Sequence, residues 1–392
     1  MFEMNRAAGT VNQGNDARLQ NAMRRASVGG KLTIGFLGGS ITQGSLSSTP
    51  QTCYAYLVYS WWKENFPMAD VSYVNAGIGA TTSQFGAARV GEDLLSYKPD
   101  VVFLEFSVND GSNAHFLETY EGLVRRVLSD EAAPAVVLIY NVCYDNGASA
   151  QLMHAKVGRH YDLPGISMQS SIYPELLAGR MENRAITPDD LHPNDAGHEL
   201  VASVITCYLE AVRERMEASG GQNRAVCESH SSAYVGNADV TVPANGLPAP
   251  LTANTYEHSI RYNNKNGIPV DVEGFAKDTR EQNGITDIFK NGWEASAQGA
   301  HIVFSLEGTG VSVQFRRSVN QPAPVAEILV DDDPATRTIL DANFDETWGD
   351  KLELLTVTEH MSEGTHRIEV RLIETHADDA VPFYLNAILM AD

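Results

Sequence analysis

From Lys31 to about Glu217 the chain alternates short apolar runs with longer stretches whose apolar residues recur at helical spacing. A strand buried on both faces reads as an unbroken apolar run, and a surface helix shows a period near 3.6. The alternation therefore predicts β-α-β units on a mainly parallel sheet. Strands are expected at Leu32 to Leu37, Val71 to Asn75, Val101 to Phe106 and Ala135 to Asn141, and helices from near Asp16, Gln51, Ser83, Phe116, Ser149 and Asn194. The last, NDAGHELVASVITCYLEAVRERME, opens on cap-type residues and closes in mixed charge.

Around Ala218 to Gln222 the sequence turns rich in Gly and Ser (ASGGQN), and the helical period stops. Beyond it, alternating segments at Ala300 to Leu306, Val311 to Phe315, Glu327 to Val330, His366 to Leu372 and Phe383 to Met390 are separated by Gly, Asp and Asn turns. The pattern predicts an α/β domain over residues 1–220 and an all-β sandwich or jelly roll over 221–392.

Composition narrows the function. Of 392 residues, 28 are Lys or Arg and 50 are Asp or Glu, a formal charge of −22. That balance argues against nucleic acid as a partner, because phosphate contacts need clustered cations, and against docking on anionic membranes. Cys53, Cys143, Cys207 and Cys227 have no metal-ligand or redox spacing and read as buried thiols. The N-terminal MFEMNRAAGTVNQGNDARLQ lacks the apolar stretch of a secretory signal, so the expected location is cytoplasmic. A homo-oligomer is compatible with the sequence.

Four segments at predicted strand ends carry candidate chemistry, and strand ends are where open α/β sheets bind ligands. GFLGGSIT (Gly35 to Thr42) sets Ser40 in a glycine turn. NAGIGATTS (Asn75 to Ser83) supplies small residues that let backbone approach a ligand. In FLEFSVNDG (Phe103 to Gly111) the Asn109 amide stands just past a strand end, where it can donate to an oxyanion. In ITPDDLHPNDAGH (Ile186 to His198) the Asp189-x-x-His192 spacing lets a carboxylate reach an imidazole and fix its tautomer, making His192 a base for Ser40.

In this order the four segments resemble the SGNH hydrolases, the GDSL-type esterases and lipases, over about residues 31 to 217. The family's nucleophile matches Ser40, in GGSIT rather than the literal GDSL; its Asn block matches Asn109, and its closing Asp-x-x-His matches Asp189 and His192. The resemblance implies a three-layer α/β/α fold, of flavodoxin-like type, and ester hydrolysis by a Ser40–His192–Asp189 triad. It also implies an oxyanion hole of Ser40, Gly79 and Asn109, with no metal or organic cofactor. The register of the second block falls on Ala80, while Gly79 matches by residue type; Gly79 is the expected donor, with Ala80 its rival. Asp190 competes with Asp189 as the triad acid.

An α/β esterase joined to a β-sandwich resembles carbohydrate acetylesterases. Trp293 and Trp348, in the β-rich half, are candidate sugar platforms or core residues. The expected substrate is an O-acetylated oligosaccharide such as a xylan or mannan fragment. The alternatives are a lipid, thioester or short-chain esterase, an acyltransferase to an alcohol, and a glycan-binding protein with a vestigial hydrolase half. Asp331 to Asp333 read as a solvated turn or calcium ligands, and His154, His160 and His198 as structural.

Overall fold

The computed structural model describes residues 4–219 and 246–392. The expected boundary at 220/221 and Cys227 lie outside them. The chain divides into two compact units, one of Met1–Gly86 with Val90–Asn254, the other of Ala87–Arg89 with Thr255–Asp392.

In the first unit, β1 (Thr10–Asn12), β2 (Lys31–Gly38), β3 (Asp70–Gly77), β4 (Val101–Glu105), β5 (Ala135–Tyr140) and β6 (Gly165–Ser167) form one sheet in the order β1-β6-β5-β4-β2-β3. All pairings are parallel except that of β1 with β6. The unbroken apolar runs of β4 and β5 are buried at every residue, as central strands covered on both faces must be. The four predicted strands occur where expected. The two that the pattern did not show, β1 and β6, are three residues each, too short to carry a period.

The helices are α1 (Ala17–Ser27), α2 (Ser40–Gln43), α3 (Tyr54–Asn65), α4 (Ser83–Asp93), α5 (Ala114–Leu128), α6 (Gln151–His160), α7 (Tyr173–Leu177), α8 (Asn183–Ile186) and α9 (Asp195–Ser219). On α1, Leu19, Ala22, Met23 and Ala26 form a buried i, i+3, i+4, i+7 stripe. With α3 and α9 it covers the sheet face that carries Ile34, Phe36, Phe103 and Val137. Residues one position out of step face the other way: a β-carbon on Gly35 would meet Leu94, just past α4, and Gly158 of α6 packs on Leu138 and Tyr140. The result is the expected α/β/α sandwich.

Two features of the sheet position the site. The chain steps from β2 outward to β3 and returns to β4 on the other side of β2, so a switch in winding direction lies between β2 and β4. In addition, Gly38 is in register with both Gly77 of β3 and Glu105 of β4, so three strand ends finish level with one another.

The second unit is all β. One sheet runs β15-β12-β17-β10-β9 with β7 on β17, the other β14-β13-β16-β11-β8. The strands are β7 (Ile260–Tyr262), β8 (Asp271–Glu273), β9 (Ala276–Lys277), β10 (Trp293–Ala295), β11 (His301–Gly308), β12 (Gly310–Arg317), β13 (Val325–Val330), β14 (Asp333–Asp341), β15 (Lys351–Thr358), β16 (Gly364–Glu374) and β17 (Phe383–Ala391). Val313, Phe315, Leu385 and Ile388 from one sheet share a core with Phe304, Ile328, Ile368 and Val370 from the other, which makes the unit a sandwich. Among the described residues, no helix is long and apolar enough to cross a membrane.

Candidate active site

Ser40 follows β2 through Gly38 and Gly39 and is the first residue of α2, so its own N–H has no acceptor within that helix. The turn is too tight for side chains. A β-carbon on Gly77 would lie 2.2 Å from the Gln43 nitrogen, and one on Gly39 would lie 2.2 Å from Asn109 Oδ1. These glycines bring α2, the end of β3 and the loop after β4 together around Ser40.

His192 reaches Ser40 from the loop between α8 and α9, with Nε2 2.8 Å from Ser40 Oγ. Its Nδ1 is 2.6 Å from Asp189 Oδ2. Asp189 Oδ1 in turn accepts from the backbone N–H groups of His192, at 2.7 Å, and Leu191, at 3.1 Å. Burial by itself would raise the Asp189 carboxyl, but the hydrogen bonds from the His192 ring and these two amides outweigh it and hold the group below its ordinary value. Asp190 turns away at φ 70°; its carboxylate accepts from Arg184 at 2.7 Å and from Asn183. The neighbouring aspartates thus divide their partners, Asp189 toward the imidazole and Asp190 toward α8.

The start of α9 holds this loop against the segment that follows Ser40. Asp195 accepts from Ser48 N–H, Ser48 Oγ and Thr52 Oγ1, and these bonds lower its carboxyl to about 2. His198 lies between Tyr54 N–H and the Ser45 carbonyl, and burial lowers its pKa to about 4, so it is neutral there. This agrees with its structural reading.

The oxyanion candidates surround the turn that carries Ser40. Gly79 stands beside Ser40, but its N–H already donates to Gln43 Oε1 at 2.6 Å. The next residue, Ala80, is held at φ 56°, in the left-handed region, and among the described residues its N–H has no acceptor. Asn109 packs its amide on Gly39, and its Oδ1 is buried with no partner.

Sequence reading missed Gln43 and Glu105. The signal for Glu105 was present as a carboxylate interrupting the apolar run FLEFS. It is fully buried at the end of β4, and desolvation pushes its carboxyl up to about 7 despite hydrogen bonds from Ser107 N–H and Oγ. His154 was read as structural; its Nε2 lies 3.0 Å from Asp110 Oδ2, both side chains fully buried.

In the second unit, Trp293 is core at 1% exposure, whereas Trp348 is 60% exposed and packs edge-on against Phe344. Asp331 accepts from His366 and from the Arg367 N–H, and Asp332 pairs with Arg367, so this turn is bound to β16. Among the described residues no group of His, Cys, Asp or Glu is placed to hold a metal ion. Of the thiols, Cys53 is buried, which raises its pKa to about 11; Cys143 and Cys207 are only half-buried, a correction to their expected burial.

Ser40, His192 and Asp189 form a hydrogen-bonded hydroxyl–imidazole–carboxylate chain, with candidate oxyanion donors beside it, an arrangement that can support acyl transfer. Residues 36–200 match the model of the GDSL-like Lipase/Acylhydrolase family. The chain is 29% identical over 192 residues to Thioesterase 1/protease 1/lysophospholipase L1 of Escherichia coli (strain K12), covering 45% of this chain and 83% of that protein. It is 29% identical over 153 residues to an arylesterase of Vibrio mimicus, covering 36% of this chain and 70% of that one. The crystal structure of a two-domain esterase active on acetylated mannans, also solved with mannopentaose, matches with a TM-score of 0.90 and 55% identity, over 100% of this chain and 99% of that one.

Proposed function

The chain belongs to the family of GDSL-type (SGNH) acylhydrolases and is a carboxylic ester hydrolase, and from that premise we propose that it removes O-acetyl groups from manno-oligosaccharides. The observation that carries the proposed chemistry is the hydrogen-bonded chain from Ser40 Oγ through His192 to Asp189, at 2.8 and 2.6 Å.

His192 Nε2 takes the Ser40 proton as Oγ attacks the acetyl carbonyl. Asp189 keeps the imidazole in the tautomer that presents a lone pair to Ser40, then stabilises the imidazolium. The oxyanion is held by the Ser40 N–H, an N–H of the Gly79–Ala80 turn and the Asn109 side chain. Within that turn the geometry favours Ala80, because Gly79 is already bonded to Gln43. As the C–O bond breaks, the imidazolium gives its proton to the departing sugar oxygen, which leaves as a hydroxyl, and His192 then activates water against the acetyl-enzyme.

Mannan as the substrate class is supported by similarity along both units to an esterase active on acetylated mannans, whereas the thioesterase and arylesterase relatives match less than half of this chain. The exposed indole of Trp348 is the kind of surface on which sugar rings stack. The test is acetate release from acetylated manno- and xylo-oligosaccharides by the full chain and by Ser40→Ala. Release from the manno series, lost in Ser40→Ala, is expected. Preference for long-acyl nitrophenyl esters with no release from either glycan would overturn it.

A further inference from the structure

Asn109 and the Gly79–Ala80 turn lie on separate loops, yet both must hold their donors within tenths of an ångström of one oxyanion. One carboxylate joins those loops. Asp110, the residue after Asn109, accepts the Ser83 N–H on Oδ1 at 2.9 Å, at the first position of α4 and three residues beyond Ala80. Its other oxygen, Oδ2, lies 3.0 Å from His154 Nε2.

His154 is itself tightly placed. Its ring stacks on the buried Tyr120 ring at 3.6 Å and an interplanar angle of 5°. The helix that carries it is anchored to the third block, because Ala150 N–H donates to the Ser107 carbonyl at 2.7 Å. Ser83 has a second tie, its Oγ lying 2.7 Å from Thr119 Oγ1 of α5.

We propose that Asp110 and His154 are positioning residues of the oxyanion site, in which one buried carboxylate locks the Ala80–Ser83 and Asn109 segments together and His154 orients that carboxylate. A fully buried Asp–His pair is a costly way to fill space, since apolar residues of similar volume serve as well or better. Its geometry has a use here. A carboxylate next to a forming oxyanion opposes it electrostatically unless the carboxylate's own charge is drawn elsewhere. The His154 N–H, the Ser83 N–H and the N-terminal dipole of α4 all draw it away from Asn109. This assignment rests on the acyl-transfer reading of Ser40.

The test is a mutant cycle read as kcat and KM on nitrophenyl acetate, with thermal melting to verify folding. His154→Leu is expected to lower kcat by at least about 10-fold, a fraction of the 10²–10³ that a whole donor supplies, with KM changed by less than about two-fold. His154→Gln, which keeps an N–H toward Asp110, should recover most of that loss. If His154→Leu does not fold, Asp110→Asn takes its place in the cycle. In an Asn109→Ala background the same substitution should cost at least about three-fold less than in the wild type, because one of the two donors it positions is gone. An equal loss in both backgrounds, or a loss carried by KM, would overturn the proposal. Ser40→Ala is run alongside: if it stays active, the acyl-transfer reading fails, separately from any result at His154.

Discussion

Gly39 and Asn109 are in contact so close that a single β-carbon on the glycine would overlap the amide, at 2.2 Å from Oδ1. The turn that carries Ser40 and the Asn109 side chain are thus packed as one piece. Gly39→Ala is expected to displace Asn109 and lower kcat by about 10²–10³, the contribution of one oxyanion donor, with KM little changed. Steady-state kinetics on a short acetyl ester will read this, and a variant of wild-type kcat would separate the two residues.

The partition of the two aspartates predicts very different costs. Asp189→Asn removes the acceptor that sets the His192 tautomer and is expected to lower kcat by about 10³–10⁴. Asp190→Asn loses charge against Arg184 and leaves the Asp189–His192 bond in place, so kcat should fall by less than about ten-fold, since such a half-exposed pair is weak. Reversed costs would make Asp190 the triad acid.

Gln43 distinguishes the two candidate backbone donors. Its Oε1 occupies the Gly79 N–H, so if Ala80 is the donor, Gln43 serves to anchor the turn. Gln43→Ala should then lower kcat by about 10-fold, part of what a full donor supplies. A higher kcat in this variant would show that Gln43 competes with the substrate oxyanion and that Gly79 is the donor.

Glu105 makes stability depend on pH. Its folded pKa, raised by burial to about 7, exceeds its unfolded value, so below the unfolded value both states are protonated and the group has no effect. As pH rises toward 7 the unfolded chain ionises first, and stability from this group falls; above 7 the loss is complete. Glu105→Gln mimics the protonated form. Its melting temperature relative to wild type should rise between about pH 4.5 and 7 and then level off; a difference independent of pH would refute the buried, proton-retaining Glu105.

Much of this was legible in the chain. The apolar runs of β2, β4 and β5 and the stripe of α1 reflect local periodicity, which burial on a sheet or helix imposes directly on sequence. Ser40, Asn109, Asp189 and His192 were legible because each stands at a turn with its own local grammar of Gly, Asn, Asp and Pro. The short β1 and β6 were not, since three residues hold no period. Nor were the partners of Asp190, since adjacent residues of identical type diverge only through the left-handed turn at φ 70°.

Read along the chain alone, the residues specify an acidic two-part protein, α/β then β, with four chemical segments in a fixed order. Which of those segments meet is set by how the strands and helices pack. The level register of Gly38, Gly77 and Glu105 sets three strand ends side by side, and the staples from Asp195 and His198 bring His192 across 152 positions to Ser40. Contacts at that separation arise from strand order and helix packing, which no local pattern encodes.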